Sequence, residues 1–332
     1  MTGRSAAAAQ VSAVRTAMRA LRSATHVRRV GTLAHAALMR SGGITHAVPG
    51  FEATSFRLAG NEVIWVSSEG PDHPRTALIE AGAACEVLAV SSGTEISFCD
   101  AVETLGGCAF PIDDARKAAS IAILRLMHIS TPRGCASLMQ GQSPPFPFSH
   151  RADSAHALAC ACATEDDEAF VHHAQRLLGA GSGLTPSGDD FVGGALFALR
   201  LNQAERALPV TAGSVSVRAK QGAARAARWQ RAATQIVTRA ASRTHIISAV
   251  LLSDLARGQS YAALHAFAAA IAHGDADAAF NHATALTSIG ASSGWDMLAG
   301  FMAALRGSAD TLTLPHSFDT PHATTHGIHR HA

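Results

Sequence analysis

The stretch Gly179-Ala180-Gly181-Ser182-Gly183-Leu184-Thr185-Pro186-Ser187-Gly188-Asp189-Asp190-Phe191-Val192-Gly193-Gly194 decides how this chain reads. Thr185 followed by Pro186 marks a helix start, because threonine satisfies orphan amides and proline suits the first helical position. The alternating glycines ahead of it permit positive φ and let a ligand approach the backbone. Free amides at a helix start make an anion site. Gly181, Gly183, Thr185, Ser187 and Gly188 are therefore candidate substrate-binding residues, suited to a small anion. The stretch lacks the lysine of a phosphate loop. Residues 166–178 look helical, whereas a dinucleotide fingerprint needs a strand there. The adjacent Asp189 and Asp190 would repel a bare anion. They are open to holding a divalent cation such as Mg2+, accepting hydrogen bonds from a substrate amide or amine, or acting as a base. The plainer alternative is that they only complement the helix dipole.

An echo follows at Ile289-Gly290-Ala291-Ser292-Ser293-Gly294-Trp295-Asp296-Met297-Leu298-Ala299-Gly300. Both segments read Ser-Gly-x-Asp-x-x-x-Gly, through Ser187, Gly188, Asp190 and Gly194, and through Ser293, Gly294, Asp296 and Gly300. Two helix starts of one design can converge on one ligand, each giving amides, a hydroxyl and a carboxylate. Ser292, Ser293 and Gly294 join the candidate substrate-binding residues, and Asp189, Asp190 and Asp296 are the candidate catalytic ones. The plain alternative is two capped helices with glycine-mediated packing.

Around these motifs, helical patterns fill 153–178, 186–201, 215–241, 244–256, 260–273, 275–287 and 294–306. Upstream the pattern is different. Thr45 to Val48, Ser55 to Leu58, Val63 to Ser67, Cys85 to Val90 and Thr94 to Phe98 are short, apolar or β-branched runs, and Gly60-Asn61 is a hairpin-type turn. Residues 114–128 look helical. The Pro/Gly/Ser stretch 131–149 interrupts both periodicities. The expected fold is α+β: a basic leader over 1–25, a β-rich domain over 26–150, a mostly α-helical domain carrying the site over 151–314, and a His-rich disordered tail over 315–332.

With 332 residues, 48% hydrophobic and 16% charged, the chain has ample material for packed cores. A net charge of +2 gives no global drive toward nucleic acid or membrane. No apolar run approaches the ~20 residues that span a bilayer. Cys85, Cys99, Cys108, Cys135, Cys160 and Cys162 form no CxxC pair and read as reduced cytoplasmic thiols. Seven arginines and no acidic residue precede Glu52. That bias resembles a transit peptide, but the alanine richness runs through the whole chain and favours a plain basic leader. The basic run Arg218 to Arg243 reads as a solvated face or subunit interface. Its alternative is nucleic acid, which its lone Trp229 supports poorly. Thr244, His245 and Ser248 are placed to cap a helix pointing at the same pocket.

The two motifs resemble the AllH-type family, associated with oxamate carbamoyltransferase as one of three kinds of subunit. The second motif departs at Ala291, where family members often have histidine. The resemblance implies transfer of a carbamoyl group between carbamoyl phosphate and oxamate, with oxalurate as the other compound, in allantoin or purine nitrogen catabolism. It implies partner subunits, and a chain that is inactive alone. A non-catalytic subunit that senses a small anion or acts as a scaffold is the alternative. The Ser-x-Arg-Thr-Arg signature of aspartate and ornithine carbamoyltransferases is absent, and Ser242-Arg243-Thr244-His245 matches it only superficially, so their fold is not expected.

Overall fold

The computed structural model describes residues 24–97, 112–206 and 215–306. Residues 1–23 of the basic leader, Cys99, Cys108 and the His-rich tail lie outside the described residues, as do the side chains of Arg218 and Lys220. The fold is α+β, with its strands between residues 25 and 97 and helices dominating afterwards.

The strands are β1 (Thr25–His26), β2 (Arg29–Gly31), β3 (Thr45–Ala47), β4 (Phe56–Ala59), β5 (Glu62–Ser67), β6 (Thr76–Leu78), β7 (Leu88–Ala89) and β8 (Glu95–Ser97). Helix α1 (Thr32–Ser41) lies between β2 and β3. Six strands form one sheet in the order β3-β4-β5-β6-β2-β8, and β1 pairs with β7 in parallel. The Gly60-Asn61 turn joins β4 to β5 with Ala59 opposite Glu62. Strands β1, β2 and β6 escape the sequence reading because two- and three-residue strands carry no measurable alternation, and helix α1 escapes it because its N-cap is Gly31, with no side-chain cap.

Strand β5 shows why its sequence is apolar almost throughout. Successive side chains point to opposite faces. Ile64 and Val66 pack with Val30, Leu38 and Ala77 under α1. Val63 faces the other way, with Val48, Phe56, Ile247 and Leu251. Both faces are covered, so neither needs polar residues.

The helices are α2 (Ile112–Ile129), α3 (Ala152–Thr164), α4 (Asp167–Leu177), α5 (Ser187–Arg206), α6 (Val215–Ala240), α7 (Ile246–Ala256), α8 (Ala262–Ala272), α9 (Ala276–Thr287) and α10 (Ser293–Arg306). The expected 153–178 helix is broken in two. Glu165 adopts φ 58°, and the Asp166 carboxylate caps α4 by accepting from Ala169 N at 2.9 Å. Two 3-10 helices, Gly134–Gln140 and Phe148–Arg151, occupy the Pro/Gly/Ser stretch. Cys135, Met139 and Phe148 from that stretch are buried in the same core as α2 and the later helices.

The echo is one end of a much longer duplication. Helices α3-α4-α5 and α8-α9-α10 repeat one another in a series of matched backbone hydrogen bonds. Asp166 N donates to Ala161 O and Asp275 N to Ala270 O, both at 3.0 Å. Asp275 caps α9 through Ala278 N as Asp166 caps α4. Positive-φ Gly274 stands where Glu165 stands. Ala180 N reaches Leu177 O, and Ile289 N reaches Leu286 O. His156, His173 and Leu177 match His265, His282 and Leu286 in sequence, and Ala198-Leu199-Arg200 matches Ala304-Leu305-Arg306.

The last helices of the two units cross at their glycines. A Cβ on Gly194 would sit 2.0 Å from Met297 O, and one on Gly300 would sit 1.8 Å from Phe191 O. Each glycine thus meets the residue after the other unit's aspartate. This reciprocity is the mark of a pseudo-two-fold axis between α5 and α10.

Candidate functional site

The crossing brings Asp190 and Asp296, the matched aspartates, into one buried place. Asp190 is 6% exposed and Asp296 is fully buried. The serines exchange across the axis: Ser293 of the second unit hydrogen-bonds Asp190 of the first, and Ser187 of the first lies on Asp296 of the second. Thr185 also bonds Asp190, and its hydroxyl is 2.7 Å from that of Ser293. Oδ2 of each aspartate is buried without a hydrogen-bond partner. Buried polar atoms are almost always paired, so the two orphan carboxyl oxygens at this pseudo-symmetric centre stand out, alongside nine other unpaired buried side-chain atoms of the described residues.

Burial is the main cause of the electrostatics here. It pushes the Asp190 carboxyl well above the usual carboxylate range, and the nearby Asp296 charge adds to this. Asp296 is raised to about 6 by burial, although hydrogen bonding by Cys135, Ser187 and Ser292 opposes the rise. Burial thus favours the protonated form of both carboxyls, and a protonated carboxyl donates where an ionised one only accepts.

The linkage has a definite sign. Asp296 binds its proton more tightly in the folded chain, so its contribution to stability is complete below the unfolded value near 4. That contribution is lost as pH rises through about 6. Two units correspond to about 3 kcal/mol. Asp296→Asn should match the parent at pH 4 and exceed it by about that amount at pH 8 in urea titrations. Equal stability of the two chains at both pH values would contradict the assignment.

Asp189 does a different job. Its Oδ1 accepts from Gly179 N at 2.8 Å, and its Oδ2 accepts from Thr244 Oγ1 and Ser248 Oγ, each at 2.6 Å. It ties the glycine loop to the start of α7. His245 caps α7, accepting from Ser248 N, and its Nε2 lies 3.4 Å from Gly183 O. Of the loop glycines, Gly181 has φ 129°, and a Cβ there would meet Ser187 N at 2.5 Å. Gly188 and Gly294 are pressed against the carbonyls of Leu177 and Leu286, so their place is in helix packing. Ser292 lies near Asp296. The structure thus gathers Thr185, Ser187, Asp190, Ser292, Ser293 and Asp296, and sets Asp189 behind the loop.

Two further residues belong to the centre. Cys135 N donates to Asp296 Oδ1 at 2.7 Å, and the Cys135 thiol is pushed up by burial and then by Asp296. Gly134 has φ 59°, and a Cβ there would overlap the Asp296 carboxyl. The turn 134–140 thus holds only one of the two aspartates and breaks the pseudo-symmetry. A Pro/Gly/Ser stretch gives no sequence signal for such a contact, beyond the glycine before a cysteine.

Of the arginines in the basic run, Arg225 and Arg228 pair with Glu165 and Asp167 at 2.9 and 3.5 Å. Among the described residues, no group of three or more His, Cys, Asp or Glu side chains is disposed to hold a metal ion. None of the described helices is long and apolar enough to cross a membrane.

Fold and site define a duplicated helical unit with a buried acid pair on its pseudo-axis. Residues 177–305 match the family model described as oxamate carbamoyltransferase subunit AllH, and over that stretch the chain is AllH-like. The match runs from the end of α4 through α10 and contains both Ser-Gly-x-Asp motifs. No curated protein and no solved structure matches the chain.

Proposed function

We propose that this chain is a subunit of an oxamate-type carbamoyltransferase and that the Asp190–Asp296 centre holds the amide end of its substrate. The observation that carries this reading is the pair of buried, unpartnered Oδ2 atoms on the pseudo-axis. An amide presents a carbonyl acceptor beside an N–H donor. With Asp190 holding its proton, the form that burial favours, and Asp296 ionised, the pair complements that edge. In the transfer, the oxamate nitrogen bonds to the carbamoyl carbon and gives up a proton, and the bond from that carbon to phosphate oxygen breaks. Asp296, ionised above about 6, is the candidate base for that proton. Asp190 steadies the substrate carbonyl. Asp189 positions the loop through Gly179 and α7.

A phosphate beside these carboxyls would be repelled, so the phosphate end is assigned to the partner subunits. The reaction fits allantoin or purine nitrogen catabolism in the cytoplasm. In the reconstituted complex, Asp190→Ala should lower carbamoyl transfer by about two orders of magnitude or more. Unchanged transfer by an assembled Asp190→Ala complex would end this reading.

A further inference from the structure

A cavity of about 650 Å³ lies between the strands and the second helical unit. It is far larger than a six-heavy-atom amide needs, and within the range of sites for larger ligands. Trp65 and Tyr261 form aromatic walls, their rings edge-to-face at 6.5 Å. Asp72 and Ser288 supply polar groups at its border.

The duplication shows why the space exists. In the first unit the equivalent groove between α3 and α4 carries Arg176, whose Nε donates to Ser154 Oγ at 3.2 Å. The matched residues in the second unit are Ala285 and Ala263, and both line the cavity. The second unit has lost the guanidinium side chain and its hydroxyl partner, and has gained aromatic walls and a carboxylate from the β-rich part. A guanidinium is planar, stacks on aromatic faces and donates in plane to carboxylates. Asp72 engages Arg29 through Oδ2 at 2.5 Å, so Oδ1 is the oxygen it can offer a ligand.

We propose that the cavity is a binding site for a ligand bearing a planar amidinium or guanidinium group on an apolar body. The cation lies against Trp65 and Tyr261 with Asp72 as acceptor, in the space that Arg176 serves in the other unit.

Calorimetry on the full chain with three probes tests this: benzamidinium, its neutral isostere benzamide, and benzylammonium. Benzamidinium should bind about tenfold tighter than either of the others. Asp72→Asn should remove that preference. Ala263→Ser/Ala285→Arg, which rebuilds the first unit's own pair, should abolish binding. Circular dichroism reports folding of that double variant, and Asp72→Asn serves as the independent check if it does not fold. Absence of benzamidinium binding by the parent chain, equal binding of benzamide, or full binding by the folded double variant would each overturn the proposal.

Discussion

Gly300→Ala is expected to destabilise the chain by at least about 3 kcal/mol, near or above the upper end of ordinary overpacking. The added methyl would lie 1.8 Å from Phe191 O and 3.0 Å from its Cα. These are backbone atoms of a neighbouring helix, which cannot rotate away as a side chain can. The two helices must separate, and Trp295, Phe301 and Phe197, all buried beside the crossing, lose close packing with them. The pseudo-two-fold gives an internal control: Gly194→Ala, 2.0 Å from Met297 O, should cost a similar amount. Gly70, with open space around it and no positive φ, should accept alanine with little change. Urea unfolding of the three variants measures this. A Gly300→Ala chain as stable as Gly70→Ala would mean that the helices do not cross at these glycines.

Arg75→Ala is expected to cost about 3–5 kcal/mol, because it leaves a buried carboxylate without its main partner. Arg75 is 4% exposed and Asp254 is fully buried. The guanidinium donates to both Asp254 oxygens, at 2.5 and 3.0 Å, and to Val63 O at 2.9 Å. This fork joins the sheet to α7, and α7 starts at the residues that hold Asp189. The double variant Arg75→Ala/Asp254→Ala should lose less than the sum of the two single variants, since it removes the stranded charge. Strict additivity in a double-mutant cycle would contradict this. With total stabilities of about 5–15 kcal/mol for such chains, the single variant should lose a large fraction of the total and unfold at a clearly lower urea concentration.

Much of the helical part is legible in the sequence because helix punctuation is local: Thr185-Pro186, the capping Asp275, and glycines 274 and 290 mark ends that the structure keeps, whereas the cap at Asp166 falls inside the expected 153–178 helix. The echo around Asp190 and Asp296 is readable for the same reason. The rest of the duplication is hidden by composition. Outside the motifs the two units share mainly alanine, which is common throughout the chain, and the first loop is three residues longer between Gly181 and Ser187 than between Gly290 and Ser293. A single register therefore cannot align the whole unit.

The two adjacent aspartates show a different limit. Asp189 and Asp190 look equivalent in sequence, yet consecutive helical side chains point about 100° apart. One turns toward Thr244 and Ser248, and the other toward Ser293. Gly134 and Cys135 reach Asp296 from some 160 residues away, a contact that no local pattern encodes.

The most direct test of the acid-pair centre is calorimetric titration of oxamate into the carbamoyltransferase complex carrying the parent chain, Asp190→Ala or Asp296→Ala, with and without Mg2+. The parent complex should bind, and each variant should bind at least about tenfold more weakly while the complex stays assembled, reflecting the loss of a hydrogen bond to a charged or acidic partner. Oxamate binding of equal strength in all three complexes would contradict the assignment of the substrate amide to Asp190 and Asp296.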